Sequence, residues 1–218
     1  MAEEPGTDAV LFEIMSTCRA MRRLSPEPVS DVVLRRLVEA ASYAPSGRNL
    51  QRARWIIVRS AEQKAAIAAL NRRASEQSVR RHIEATEEVA HDDPEQRRRM
   101  WESVLWQTEH MHEAPVLIVA CCILDDPEQD PYRYGSSVWP GIQNLLLAAR
   151  ANGLGAVPTT FALEYGAELG AVLRLPPRVC VQAIIPVGHP TGRFGPVRRL
   201  PLGEILMDEH WDGPVPIT

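Results

Sequence analysis

The chain has 218 residues, enough for one domain of good size or one domain with an inserted lid, and tight for two independent domains. Its 24 Lys and Arg against 28 Asp and Glu give a net charge of -4, so bulk electrostatics draw it to neither nucleic acid nor an anionic membrane, and a small molecule is the default partner. The start, Met1-Ala2-Glu3-Glu4-Pro5, lacks the basic and apolar regions of a secretory signal, and the apolar runs from Val116 to Leu124 and Val179 to Val187 fall short of the roughly 20 residues of a membrane span, which points to a cytoplasmic protein.

Leu11, Ile14, Met15 and Cys18 stand at i, i+3, i+4 and i+7 and predict an amphipathic helix that runs into Arg19. After the Pro26-Glu27-Pro28 break, Ser30 is placed to cap a second helix carrying Leu34, Leu37, Val38 and Ala41, which ends before Pro45. Trp55-Ile56-Ile57-Val58 is short, apolar and β-branched, and reads as a buried strand. Glu62 to Glu113 is charged and free of glycine, and its one proline, Pro94, divides it into two helices. Its Arg97-Arg98-Arg99 cluster reads as a solvated helix face, with anion capture as the second reading.

Val116 to Ile123 predicts another buried strand, entered through Pro115. After an irregular stretch from Asp125 to Gly135, Ile142, Leu145, Leu146 and Ala149 stripe a third helix, closed by Asn152-Gly153. A short strand near Gly155 to Val157, a helix near Glu164 to Leu173 and a strand from Val179 to Val187 follow; beyond Gly203 come a short helix and an extended arm through Asp212-Gly213-Pro214. Strands separated by helices, without regular βαβ spacing, indicate an α+β layer fold. Gly153-Leu154-Gly155 follows a helix instead of a strand, so it is a helix cap and no dinucleotide fingerprint is present. Cys18, Cys121, Cys122 and Cys180 have no metal or dithiol spacing and are assigned no chemistry.

Three separated segments concentrate the groups that a phosphate-bearing, planar heteroaromatic ligand needs. Arg19, Arg22 and Arg23 arrive at the end of the first helix, where guanidinium groups suit bidentate phosphate contact or, more plainly, the helix C-terminus. Pro45-Ser46-Gly47-Arg48-Asn49-Leu50-Gln51 leads into the Trp55 strand and offers donors and acceptors for a ring edge, or ordinary turn chemistry. Pro158-Thr159-Thr160 follows a strand end, and Arg198-Arg199 could complete a phosphate clamp; the ordinary readings are a threonine cap and a solvated basic turn.

Over nearly the whole chain the sequence resembles the nitroreductase superfamily of FMN enzymes. That family's R-R-S-x-R-x-F phosphate segment is matched by Cys18-Arg19-Ala20-Met21-Arg22-Arg23-Leu24, with Cys18 in place of an arginine and Ala20 in place of serine. Its P-S-x-x-N-x-Q loop is matched by Pro45 to Gln51, followed by Arg52-Ala53-Arg54-Trp55 where the family often has Pro-Trp. Its middle helix resembles Ser137 to Ala149, its P-V-G-x-P strand end is Pro186-Val187-Gly188-His189-Pro190, and its basic pair before P-L is Arg198-Arg199. Pro158-Thr159-Thr160 resembles the flavin-edge segment of the iodotyrosine-deiodinase-like branch, although no lid of Glu, Tyr and Lys for an amino acid is found, which disfavours iodotyrosine as substrate.

The resemblance implies a single nitroreductase-like domain over 1–218, an α+β three-layer α-β-α sandwich with a mixed central sheet, forming a homodimer. A helical lid-like insertion falls at about 62–113 and a C-terminal arm at about 203–218, the arm embracing the partner. Arg19, Ala20, Arg22, Arg198 and Arg199 would hold the FMN phosphate, Pro45, Ser46, Asn49 and Gln51 the ribityl chain and ring, and Pro158, Thr159 and Thr160 the flavin edge, with Thr160 tuning N5. No side-chain acid, base or metal ligand is nominated, because the flavin carries the chemistry. The activity implied is transfer of hydride from NADH or NADPH to a nitroaromatic or quinone by a ping-pong mechanism. The alternatives are a flavin-dependent reductive dehalogenase, a flavin-fragmenting enzyme, and a non-catalytic flavin-binding protein.

Overall fold

The computed structural model describes residues 7–84, 93–126, 131–211 and 213. The strands are β1 (Ala53–Val58), β2 (Val116–Ile123), β3 (Gly155–Ala156) and β4 (Val179–Gly188). The helices are α1 (Thr7–Thr17), α2 (Asp31–Ser42), α3 (Ala61–Glu84), α4 (Pro94–His110), α5 (Trp139–Ala151) and α6 (Gly166–Leu173). The strands form one sheet in the order β1-β2-β4-β3.

β2 explains the layering. Its side chains alternate between the two sheet faces, yet nearly all of them are buried, so both faces must be covered. On one face Val116, Ile118, Ala120 and Cys122 meet Leu34 and Leu37 of α2 and Ile142 and Leu145 of α5. On the other, Leu117, Val119 and Cys121 meet Ile67 and Leu70 of α3 and Leu169 of α6. The result is the expected three-layer α-β-α sandwich. The sheet corrects one expectation. Instead of mixed, its pairings among the described residues are antiparallel throughout, because each strand finds an oppositely running neighbour within the chain and no parallel partner is supplied.

Local chemistry sets the helix boundaries. Ser30 accepts the Val33 N–H at the start of α2, and Asp93 accepts the Glu95 N–H ahead of Pro94, which opens α4 where a missing N–H costs nothing. Gly153, at φ +71, closes α5: its N–H reaches Arg150 O at 3.0 Å and the Leu154 N–H reaches Ala149 O at 2.8 Å, the paired bonds of a Schellman end. The stripe of α1 is real but lies outside: Leu11 and Met15 are exposed, as are Val10 and Phe12. Of the C-terminal arm, Leu202 to Trp211 carries a short 3-10 turn, while Asp212 and Pro214 to Thr218 lie outside the described residues, as do 85–92 of the insertion. No described helix is long and apolar enough to cross a membrane.

Gly141 is where α5 approaches α2. A Cβ there would lie 2.9 Å from the Ala41 carbonyl oxygen and 3.1 Å from the Trp55 ring. Gly141→Val should therefore cost about 2 kcal/mol and lower Tm by roughly 4–8 °C, whereas Gly170→Ala, on an open face of α6, should cost nothing. Equal melting of the two variants in a thermal scan would contradict the close α2–α5 contact.

Candidate functional site

The expected phosphate residues line one cleft of the chain, Ser46 and Gln51 line a second, and Pro158, Thr159 and Thr160 line neither. The first holds every arginine expected to meet a phosphate. Cys18, Arg19, Ala20 and Arg22, from the segment after α1, face Pro196, Val197, Arg198 and Arg199, and the third wall is one side of α4: Gln96, Arg99, Met100 and Ser103. The Val197 N–H donates to Ser16 O at 2.8 Å, and Arg198 Nη1 donates to Gln96 Oε1 at 2.7 Å, fastening the late loop to α1 and α4. The enclosed volume is about 630 Å³, within the range of small-molecule sites.

Among the described residues, five arginines line this cleft and no carboxylate does. Burial pulls the pKa of the half-buried Arg22 guanidinium below its ordinary value, and no described carboxylate pairs with it. A desolvated cation without a counter-ion favours an anion in the space beside it. The Arg97-Arg98-Arg99 cluster divides: Arg98 pairs with Glu102 on the solvent face of α4, while Arg99 reaches the cleft. Of the three, Arg99 is the one that lines the cleft.

The second cleft, of about 400 Å³, is lined by Ser46, Gly47, Arg48, Leu50, Gln51 and Arg52, with Asp125, Tyr134 and Ser137 opposite. Arg48, Asn49 and Gln51 all have positive φ, at 52°, 53° and 48°, a cluster of left-handed non-glycine residues that costs on the order of 1 kcal/mol each. Local bonds hold the shape. The Gln51 N–H donates to Ser46 Oγ at 3.0 Å, the Gly47 N–H to Ser137 Oγ at 3.2 Å, Gln51 Nε2 to Asn49 Oδ1 at 3.2 Å, and Arg54 Nη1 to Gln51 O at 2.8 Å. Arg52 pairs with Asp125 and lies over the Tyr134 ring; its hydrogen bond holds the Asp125 carboxyl below the usual range. Pro45 and Asn49 belong to the same loop without lining the cleft.

Pro158, Thr159 and Thr160 run along the outer edge of β4. Thr159 is buried and fully engaged: its N–H and C=O pair with Ile184, and its Oγ1 donates to Asn71 Oδ1 of α3 at 2.9 Å. The next residue, Thr160, is exposed.

The clefts do not meet within one chain. Arg52 and Asp125 flank the start of β1 and the end of β2. Arg19 and Arg22 precede Leu24, which bridges Pro190 just past the end of β4, beside the start of β2. The length of β2, roughly 23 Å at 3.3 Å per residue, separates the two ends. Gln96, Met100 and Ser103 were not singled out as ligand residues by sequence, and Arg99 only as part of a cluster whose second reading was anion capture; nor were Arg52, Asp125, Tyr134 and Ser137. The i, i+3, i+4, i+7 spacing of the α4 set marks one helix face but does not say what that face meets.

The nitroreductase family model matches residues 16–189. An iodotyrosine deiodinase of Thermotoga neapolitana is 27% identical over 203 residues, which covers 91% of this chain and 96% of that protein. An NADH dehydrogenase of Thermus thermophilus is 28% identical, covering 87% of this chain and 91% of that one. Among solved structures, a Desulfovibrio desulfuricans protein described as a nitroreductase in complex with FMN shares 26% identity at a TM-score of 0.68, covering 96% and 99% of the two chains. Oxidized iodotyrosine deiodinase bound to FMN and 3-iodo-L-tyrosine superposes at a TM-score of 0.69 with 24% identity, covering 92% and 98%.

The arginine cleft should bind a divalent anion without any larger ligand. In flavin-free protein, inorganic phosphate at about 100 times its Kd should stabilise the fold by about 2.7 kcal/mol, and Arg22→Ala should remove most of that increment. A Tm that responds equally to phosphate and to chloride at matched ionic strength would contradict an anion site.

Proposed function

This chain belongs to the nitroreductase family, and from that premise we propose that it is an FMN-dependent oxidoreductase, moving hydride from NADH or NADPH to small electrophilic acceptors such as nitroaromatics or quinones. The observation that carries the reading is the cleft built around the half-buried Arg22, lined among the described residues by five arginines and no carboxylate, which fits the terminal phosphate of FMN. Relatives named for FMN complexes and for NADH dehydrogenase support it.

In this reading Arg19, Arg22 and Arg199 hold the phosphate, aided by the backbone at Ala20, while Arg198 turns toward α4 through its bond to Gln96. Ser46, Asn49 and Gln51, on the strained loop after Pro45, supply polar atoms for the ribityl chain and ring edge. Pro158 to Thr160 lie along the ring, where the Thr160 hydroxyl or backbone N–H would donate toward N5; Thr159, anchored to Asn71 and Ile184, fixes the position of Thr160 instead of contacting the ligand. FMN, when bound, supplies the hydride-accepting and hydride-donating chemistry. The chain has no dinucleotide fingerprint, so the nicotinamide and the acceptor use the same space in turn.

Because the two clefts lie at opposite ends of β2, one chain cannot close both on a single flavin, and a homodimer is part of the proposal. Each site would take its arginines from one copy and its Ser46–Gln51 loop from the other. The exposed apolar residues agree: Phe12 is 68% and Trp211 88% exposed, a large apolar area for a free surface and a natural one for an interface reached by the C-terminal arm. The cytoplasm, where reduced nicotinamides are supplied, is the compartment this reading requires. A second reading, flavin-dependent reductive dehalogenation, is favoured by the relatives named iodotyrosine deiodinase and by the Pro158-Thr159-Thr160 segment.

The purified protein should be yellow and release FMN, not FAD, on denaturation. Initial rates over a grid of NAD(P)H and nitroaromatic or quinone concentrations should give parallel double-reciprocal lines; intersecting lines would contradict a shared pocket. Halide release from a halophenol under the same reductant, with no nitroaromatic turnover, would select the dehalogenase reading instead.

A further inference from the structure

The arginine cleft holds more positive charge than one flavin phosphate accounts for. A phosphate monoester brings about two negative charges, against five guanidinium groups along the walls. Among the described residues the lining contains no carboxylate to absorb the remainder, roughly three positive charges. Glu95, the nearest acid to Arg99 in the ion pairs, stands 3.6 Å away on the same helix with both side chains mostly exposed, an arrangement that solvent screens strongly.

The surplus is also placed in a particular way. Gln96, Arg99, Met100 and Ser103 repeat at helical spacing, so a single face of α4 forms the wall opposite Arg19 and Arg22. Arg198 is tied to that wall by its bond to Gln96 Oε1, which brings its guanidinium to the side of Arg99 instead of leaving it on a free loop. Two cations are thereby presented from α4 and the late loop together, beside the Arg19, Arg22 and Arg199 group. An ammonium or a neutral acceptor would be repelled or ignored there, whereas a second dianion would be drawn in.

We propose that Arg99 and Arg198 form a second anion subsite, which takes the 2′-phosphate of NADPH and makes the protein selective for NADPH over NADH. The inference rests on the reading that a nicotinamide dinucleotide is the hydride donor. NADPH and NADH differ only by that phosphate monoester, and the chain has no Gly-rich dinucleotide loop through which to recognise the adenosine half by other means. Charge-assisted, bidentate contact from arginine is the chemistry that separates the two donors.

The test uses flavin-loaded dimer. In titration calorimetry 2′,5′-ADP should bind at least about tenfold more tightly than 5′-AMP, and Arg99→Gln should remove most of that preference while Arg99→Lys keeps part of it. The ratio of kcat/KM for NADPH to that for NADH should fall by at least about tenfold in Arg99→Gln, carried by KM, with FMN content unchanged. Equal affinities for the two nucleotides overturn the subsite. Loss of FMN from Arg99→Gln overturns it as well, by assigning Arg99 to the flavin phosphate, and inorganic phosphate competing as strongly as 2′,5′-ADP overturns the dinucleotide as its occupant. If 2′,5′-ADP is preferred but neither dinucleotide is oxidised, the subsite stands and the oxidoreductase reading fails.

Discussion

Eight consecutive residues, Val116 to Ile123, offer water no polar face, so β2 can exist only between two layers of helix. Their combined burial, at about 25 cal/mol per Å² of apolar surface, is a large share of what holds the chain together. It also fixes the functional geometry. The α2–α5 layer covers one face and the α3–α6 layer the other, which leaves only the two ends of the sheet and its edges for loops. The segments proposed to bind the ligand accordingly emerge at opposite ends of the same strand, and the distance between them is about the length of that strand.

Each end then carries a cost to the folded chain. At one, Arg22 loses hydration without gaining a carboxylate among the described residues, and four further guanidinium groups share the cleft. At the other, three non-glycine residues within four positions sit in left-handed conformations, held by short-range bonds among Ser46, Asn49, Gln51 and Ser137. Uncompensated charge and stored backbone strain are different penalties, and neither improves the core. Their presence at two separated places, with exposed apolar residues on α1 and the C-terminal segment, is what a site assembled from two copies would require.

Much of this was legible before any coordinates. The apolar run of β2, the Ser30 cap, Pro94 at the head of α4 and the Asn152-Gly153 end of α5 are local signals, and each element formed where its own residues dictate. The resemblance at Arg19, Arg22, Ser46 and Gln51 fell on residues that line the two clefts. Pairing direction was not legible, because a fully buried strand reads the same in a parallel and an antiparallel sheet. Nor was the third wall of the arginine cleft, since Arg99 differs from Arg98 only in which way its side of α4 turns. Thr159 shows the same limit: polarity marked the segment, but only the bond to Asn71 on a distant helix separates the anchored threonine from the exposed one.

The central claim is that one binding site draws on two chains, and subunit mixing tests it most directly. Arg22→Ala removes the phosphate end of every site in its own homodimer, and a Ser46→Ala, Asn49→Ala double variant removes the opposite end. Unfolding the two together and refolding them gives a population half of which is heterodimer. In each heterodimer one site receives both lesions and the other receives neither. The account predicts that flavin binding, weak in each parent, returns to about one tightly held FMN per four chains. A mixture that binds no more FMN than the average of its parents would contradict it and place each site within a single chain.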